Sequence, residues 1–230
     1  MTFIKLYGIE RSGTNYLAWL LNENFLDVRV LNNLLGWKHG TQPLDETAAN
    51  PELWADPRWM ARTVNPYWNQ PSALADHVTN EMTAAVRDRT IRIVAIVKNP
   101  YAWYVSYKRK WEDVPVEKWR IANACHLRMC CEWPLAAMVR YEDLLHDLDG
   151  TLAIVGQRLS LSPAHDVFRD CGVALRPQDD LTWQQQRDGE AFDATYYRER
   201  RYMDELTASE KRRIRKAATP KLMKALGYGG

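Results

Sequence analysis

The sequence predicts an α/β protein, a three-layer arrangement of a parallel sheet flanked by helices, and three observations carry that reading. "FIKLYGI" (3–9) is a short β-rich run ending in glycine, and Leu17, Leu20, Leu21 and Phe25 follow it at helical spacing. "IRIVAIV" (91–97) reads as a strand buried on both faces, which is how parallel strands look. Strand-like and helix-like segments then alternate along the chain, and such alternation builds a parallel sheet covered by helices.

Taken in order, the first strand leads through the turn "GIERSGTN" (8–15) into the helix "NYLAWLLNENF", and "VRVL" (28–31) is a second strand. Residues 32–90 begin as an irregular stretch with Pro43, Pro51, Pro57, Pro66 and Pro71. They are rich in aromatics (Trp54, Trp59, Tyr67, Trp68) and suit an acceptor or lid region, closing with a helix over about 72–89. After the 91–97 strand, "NPYAWYVSYKRKW" opens a helix, with Pro100 suited to its first turn. A helix over 115–132 precedes the strand "PLAAMVRY", and "EDLLHDLDGTLAIVGQRLSL" reads as one amphipathic helix. Residues 172–194 are loop-like and polar, followed by charged helical segments. No repeat or linker divides the chain, so 1–230 is expected to form one domain.

A net charge of +2 is too small to argue for a nucleic-acid partner, yet it is compatible with a local basic site for one anionic ligand. No stretch approaches the roughly 18 apolar residues of a membrane-spanning helix, and "MTFIKLYGIE" lacks the apolar core of a signal peptide. A cytoplasmic location without membrane association is therefore expected. The cluster "CHLRMCC" holds Cys125, Cys130 and Cys131 without a paired CxxC set; buried, reduced thiols are expected there rather than zinc, as for Cys171.

Strand, glycine-bearing turn and helix together aim backbone N–H groups and a helix N-terminus at an anion. A nucleotide-triphosphate loop reads G-x-x-x-x-G-K-[ST], its lysine reaching the terminal phosphates and its hydroxyl holding magnesium. Gly8 and Gly13 keep that spacing, but Thr14 replaces the lysine, Asn15 replaces the metal-binding hydroxyl, and the basic group is Arg11 within the loop. The expected ligand is a phosphate ester used without a metal. The second basic element is "VKNPYAWYVS" (97–106). Lys98 ends a buried strand, where ligands of open parallel sheets bind, and Ser106 follows two helical turns later, in reach of a second phosphate.

At this point the motifs resemble a known family. "ERSGTNYL" is similar to the 5′-phosphosulfate loop of sulfotransferases, and "KNPYAWYVS" to their 3′-phosphate motif, usually R-[ND]-P followed by a serine. "MVRYEDLL" and the ending "LMKALGY" are similar to further segments of that family. The resemblance implies a P-loop-like sulfotransferase fold, 3′-phosphoadenosine 5′-phosphosulfate (PAPS) as donor and 3′-phosphoadenosine 5′-phosphate (PAP) as product. Carried over by position, it implies that Arg11, Ser12, Gly13, Thr14 and Asn15 hold the 5′-phosphosulfate and that Tyr16 stacks on adenine. Lys98 and Ser106 would bind the 3′-phosphate. Tyr141 is a candidate for the adenine side, while Glu142 and Asp143 suit a helix N-terminus. Two departures stand out. Lys98 replaces an arginine and loses its bidentate fork. The family's R-K-G segment is absent, leaving Arg187, Arg198, Arg200 and Arg201 as substitutes, although "YYRERRY" reads equally as a solvated face.

Transfer of a sulfuryl group needs a base for the acceptor's proton and positive charge on the departing phosphate. Of five histidines, His39 in "LLGWKHG" is best placed, because the family carries its base after the second strand. Lys38 beside it is expected to support the leaving group, and the imidazole to titrate near its ordinary value. His77, Glu46 and Asp45 are the alternatives. The acceptor is expected to be a small molecule or a glycan, since aromatic faces suit sugars and phenols. The oligomeric state stays open. Two competing functions stay open beside the sulfotransferase: a P-loop nucleotide or small-molecule kinase, and a non-catalytic nucleotide-binding module.

Overall fold

The computed structural model describes residues 1–31, 38–39, 79–171 and 193–229. Its centre is a four-stranded, all-parallel sheet in the order β2-β1-β3-β4. The strands are β1 (Thr2–Tyr7), β2 (Val28–Leu31), β3 (Arg92–Val97) and β4 (Ala136–Arg140). Ile4 pairs with Val30 on one side and Arg92 on the other, and Val94 with Ala137, so the buried positions of all four strands fall into register.

Alternation along the strands splits the core between two faces. Phe3, Tyr7, Ile93 and Ala95 pack against Met82 and Val86 of α2 (Asn80–Arg87) and against Met129 and Cys130 of α4 (Val116–Glu132). Ile4, Leu6, Val94 and Ile96 face α1 (Thr14–Asn24), α5 (Tyr141–His146) and α6 (Leu148–Leu159). Leu17, Leu20 and Leu21 of α1 are fully buried there, each worth about 1.5–3 kcal/mol. Lys5 breaks the apolar pattern. It is buried, donates to the Leu31 carbonyl at 3.3 Å and lies over the Tyr7 ring.

A third cluster lies beyond the carboxyl ends of the strands. Ile9 and Val97 meet Trp103 of α3 (Pro100–Lys108), Trp119 of α4, Tyr202, and Ile214 of α8 (Ala208–Ala218). Between α6 and α8 the described chain holds α7 (Ala194–Arg198) and a 3-10 turn (Arg201–Met203); α9 (Pro220–Ala225) follows α8.

Several expectations change in detail. The run 142–161 forms two helices, because Asp147 leaves helical geometry and caps α6 by accepting from the Gly150 N–H. Cys130 is buried, but Cys125 and Cys131 on the same helix are exposed and Cys171 is half-buried, so only one of these thiols is a core residue. The helix expected over 72–89 is described from Asn80. Among the described residues no helix is long and apolar enough to cross a membrane.

In open parallel sheets, ligands bind where neighbouring crossovers diverge. The chain leaves β1 towards β2 on one side and β3 towards β4 on the other, so the segments after β1 and β3 diverge at a switch point. The two basic motifs are those segments.

Candidate active site

The loop after β1 is held by its own backbone. The Ser12 N–H and hydroxyl both donate to the Ile9 carbonyl, at 3.1 and 2.6 Å. Two left-handed residues complete the bend, Arg11 at φ 68° and Gly13 at φ 97°. A Cβ at Gly13 would lie 2.4 Å from the Tyr141 ring, so glycine is required by contact as well as by φ. Gly13 is also the N-cap of α1 and brings no side chain to the first-turn amides. Ser12 and Thr14 are buried, and the Ser12 N–H is already spent on the Ile9 carbonyl.

The Lys38–His39 pair is brought to this loop. The Gly8 N–H donates to the Lys38 carbonyl at 2.9 Å, and the Gly8 carbonyl accepts from His39 Nδ1. Lys38 Nζ donates to Asn15 Oδ1 at 2.6 Å. The Gly8 carbonyl only accepts, so its bond with His39 places the imidazole proton on Nδ1. The expected ordinary titration of His39 is corrected. Burial, then the charge of Lys38, pushes its pKa down to about 3, against the opposing Gly8 carbonyl. The ring is thus neutral throughout the physiological range, and the same burial makes it a weaker proton acceptor than an ordinary imidazole.

The second motif forms a separate, packed cluster around Lys98. Asn99 caps α3 by accepting from the Tyr101 N–H, and its own N–H donates to Glu142 Oε1 at 2.9 Å. Trp119 Nε1 donates to the Lys98 carbonyl at 2.9 Å, holding the strand end in place. Lys98 is 3% exposed, lies 4.4 Å from the Tyr141 ring centroid and 4.2 Å from that of Tyr197, and donates to the Tyr197 hydroxyl at 3.1 Å. Burial drives its pKa down to about 7; Glu142 raises it, while the charges of Arg11 and Arg109 lower it further. Arg11 joins the two regions, its Nε donating to both the carbonyl and the hydroxyl of Ser106 at 3.3 Å.

Tyr16 meets Tyr141 edge-on at 6.4 Å and donates to Asp170 at 2.9 Å. Glu142 does more than favour a helix N-terminus, since it also accepts from Tyr228 at 2.7 Å; Asp143 pairs with Arg140. The arginines expected to replace the missing segment are engaged elsewhere. Arg198 donates to the Leu145 carbonyl, Arg200 bonds Tyr202, and Arg201 pairs with Glu199 and Asp193. Arg187, the alternative bases His77, Glu46 and Asp45, and the aromatics Trp54, Trp59, Tyr67 and Trp68 lie outside the described residues.

The sequence reading missed Tyr197 and Arg109. "YYRERRY" is not simply a solvated face, since Tyr202 is buried and Tyr197 covers Lys98. Arg109 pairs with Glu205 at 2.5 Å and stacks on Tyr196. The only local signal was an aromatic pair inside a charged run.

The chain matches no family model, no curated protein and no solved structure. The chemistry of the site therefore has to be argued from its own atoms. Two basic groups meet at the switch point: Arg11 on the glycine turn, bonded to Ser106, and the buried Lys98. A neutral imidazole is pinned to that turn.

Proposed function

We propose that the protein is a PAPS-dependent sulfotransferase with a P-loop-like fold, acting on a hydroxyl or amine of a small-molecule or glycan acceptor. The observation that carries this is the Arg11–Ser106 contact, which ties a phosphate cradle lacking the triphosphate lysine to a second cationic chamber at Lys98. A donor with a 5′-phosphosulfate and a 3′-phosphate matches two such positions, and a nucleoside triphosphate does not.

In this reading the loop amides and Arg11 hold the 5′-phosphosulfate, and Lys98 with Ser106 hold the 3′-phosphate. Tyr16 and Tyr141 lie on the adenine side. The acceptor oxygen or nitrogen attacks sulfur in line, its bond to sulfur forms, and the S–O bond to the 5′-phosphate breaks. His39 Nε2 takes the acceptor's proton, while Lys38 and Arg11 stabilise the charge growing on the departing PAP. Thr14 and Asn15 provide neither the lysine nor the hydroxyl of a magnesium–triphosphate site, so no resident metal is required.

The test is thermal-shift measurement with PAP, with ATP–magnesium and with NAD, since a ligand that binds only the folded state raises the melting temperature. PAP is expected to stabilise the protein, and turnover of PAPS should survive EDTA. Stabilisation by ATP–magnesium alone would replace this reading with a kinase. PAP binding without turnover on any phenol or sugar would replace it with a binding module.

A further inference from the structure

We propose that Glu10 is a positioning residue for Arg11, the cation that the turn after β1 presents; this rests on the sulfotransferase reading above. Arg11 is exposed and stands at φ 68°, a conformation that a residue other than glycine keeps only where its surroundings impose it. Its guanidinium bonds Ser106 at 3.3 Å, a long contact made by a flexible side chain.

The residue before it is held more firmly. The Glu10 carbonyl accepts from Trp103 Nε1 of α3 at 2.8 Å, and its carboxylate Oε1 accepts from Lys118 Nζ of α4 at 2.7 Å. Oε2 lies 2.6 Å from the same ammonium and is shielded from water. A carboxylate oxygen out of water is costly unless a cation stays beside it, so this pair is more than a loose surface contact. Trp103 is fully buried and shares a core cluster with Ile9, the residue on the other side of Glu10. Main chain and side chain of Glu10 are thus anchored to two different helices, which leaves the peptide leading into Arg11 little freedom to turn. The anchor also spans both basic motifs. Lys118 and Trp119 are consecutive in the first turn of α4, and Trp119 Nε1 donates to the Lys98 carbonyl. One helical turn therefore holds Glu10 and Lys98 at a set separation, and with them the two cations of the proposed donor site.

A merely structural Glu10 would brace the fold and change ligand binding by the same factor whether or not Arg11 is present. A positioning residue acts through Arg11. A double-mutant cycle separates the two: PAP affinity is measured by calorimetry on the wild type, Glu10→Ala, Arg11→Ala and the double variant. Glu10→Ala is expected to weaken PAP binding about three- to tenfold with Arg11 present and less than twofold without it. Loss of a carboxylate near an anion would by itself tighten PAP, so weakening is a sign that geometry alone gives. A weakening of twofold or more without Arg11, or below threefold with it, would overturn the assignment. Failure of the wild type to bind PAP at all would overturn the sulfotransferase reading and this inference with it. If Glu10→Ala folds poorly, the cycle is run with Glu10→Leu, which keeps the bulk and loses both carboxylate oxygens, and the same limits decide.

Discussion

The turn after β1 and the lysine cluster after β3 are neighbours on one sheet, yet they are built in different ways. In the cradle the cost lies in backbone geometry, with Arg11 and Gly13 in left-handed conformations and Ser12 spent on the Ile9 carbonyl. In the chamber the cost is a cation removed from water, walled by two phenol rings. Backbone preorganisation is independent of pH. A buried ammonium is not, and in the proposed site an incoming phosphate would supply a countercharge. The cradle should therefore set where the ligand sits, and the chamber how binding responds to protons.

The largest expected effect belongs to the base attached to the cradle. His39→Ala should lower turnover by about 10²–10⁴-fold while leaving PAP affinity within about twofold, read by steady-state kinetics and calorimetry. Because the folded pKa is depressed to about 3, the wild-type rate should show no acid limb near pH 6.5 from this residue. The unfolded state takes up the His39 proton first, so stability should decline as pH falls from about 6.5 towards 3. His39→Gln should flatten that decline. An acid limb near 6.5 that disappears in His39→Gln would contradict the buried geometry.

Next comes the cradle itself. Gly13→Ala meets the Tyr141 ring and a positive φ together, and should destabilise the fold by about 2–4 kcal/mol and abolish PAP stabilisation. Wild-type melting and PAP response in this variant would mean that the loop is not the rigid half of the site.

Lys98→Met should separate stability from binding. PAP affinity should fall about 10–100-fold, whereas the ligand-free protein should gain about 1–3 kcal/mol near neutral pH through loss of a buried charge. The folded pKa near 7 lies below the ordinary lysine value, so stability of the wild type should rise with pH from about 7 to about 10.4. That slope should shrink in Lys98→Met, and PAP binding to the wild type should draw protons from buffer within the same window. A methionine variant less stable than wild type would show that the lysine's contacts outweigh its burial.

The smallest change is expected for Ser106→Ala, which removes one neutral hydroxyl while Arg11 keeps the Ser106 carbonyl as acceptor. PAP binding should weaken by roughly two- to tenfold with melting nearly unchanged.

How much of this was legible in the sequence follows the distance between partners. The strand–turn–helix at 2–24 was readable because glycine spacing, β-rich residues and leucine periodicity are all local signals. Lys98 was readable as a strand end, as was Ser106 by its offset along a helix that Pro100 opens. Tyr197 was not. Its partner is 99 positions away, and a five-residue helix has too few positions for a periodic signal. The break at Asp147 was hidden because apolar residues keep helical spacing across it, although Asp147 and Gly150 carry the cap in retrospect. His39 was found by its position after a strand. Its titration was misjudged because burial, and the nearby charges of Lys38, Lys118 and His126, exist only in the assembled site.

Tyr228 gives the site a place in time. Its hydroxyl donates to Glu142, 86 positions earlier, and approaches the Val97 carbonyl, 131 positions earlier, while the Gly227 carbonyl accepts from Arg140. During synthesis from the amino end, the sheet and both ligand-facing turns emerge well before these three contacts can form. Glu142, whose charge raises the Lys98 pKa and which fixes the Asn99 N–H, gains its Tyr228 contact only once that segment has left the ribosome. A nascent chain should thus form its sheet first and complete the cluster around Lys98 last, together with the third core cluster, to which Tyr202, Ile214 and Leu226 belong.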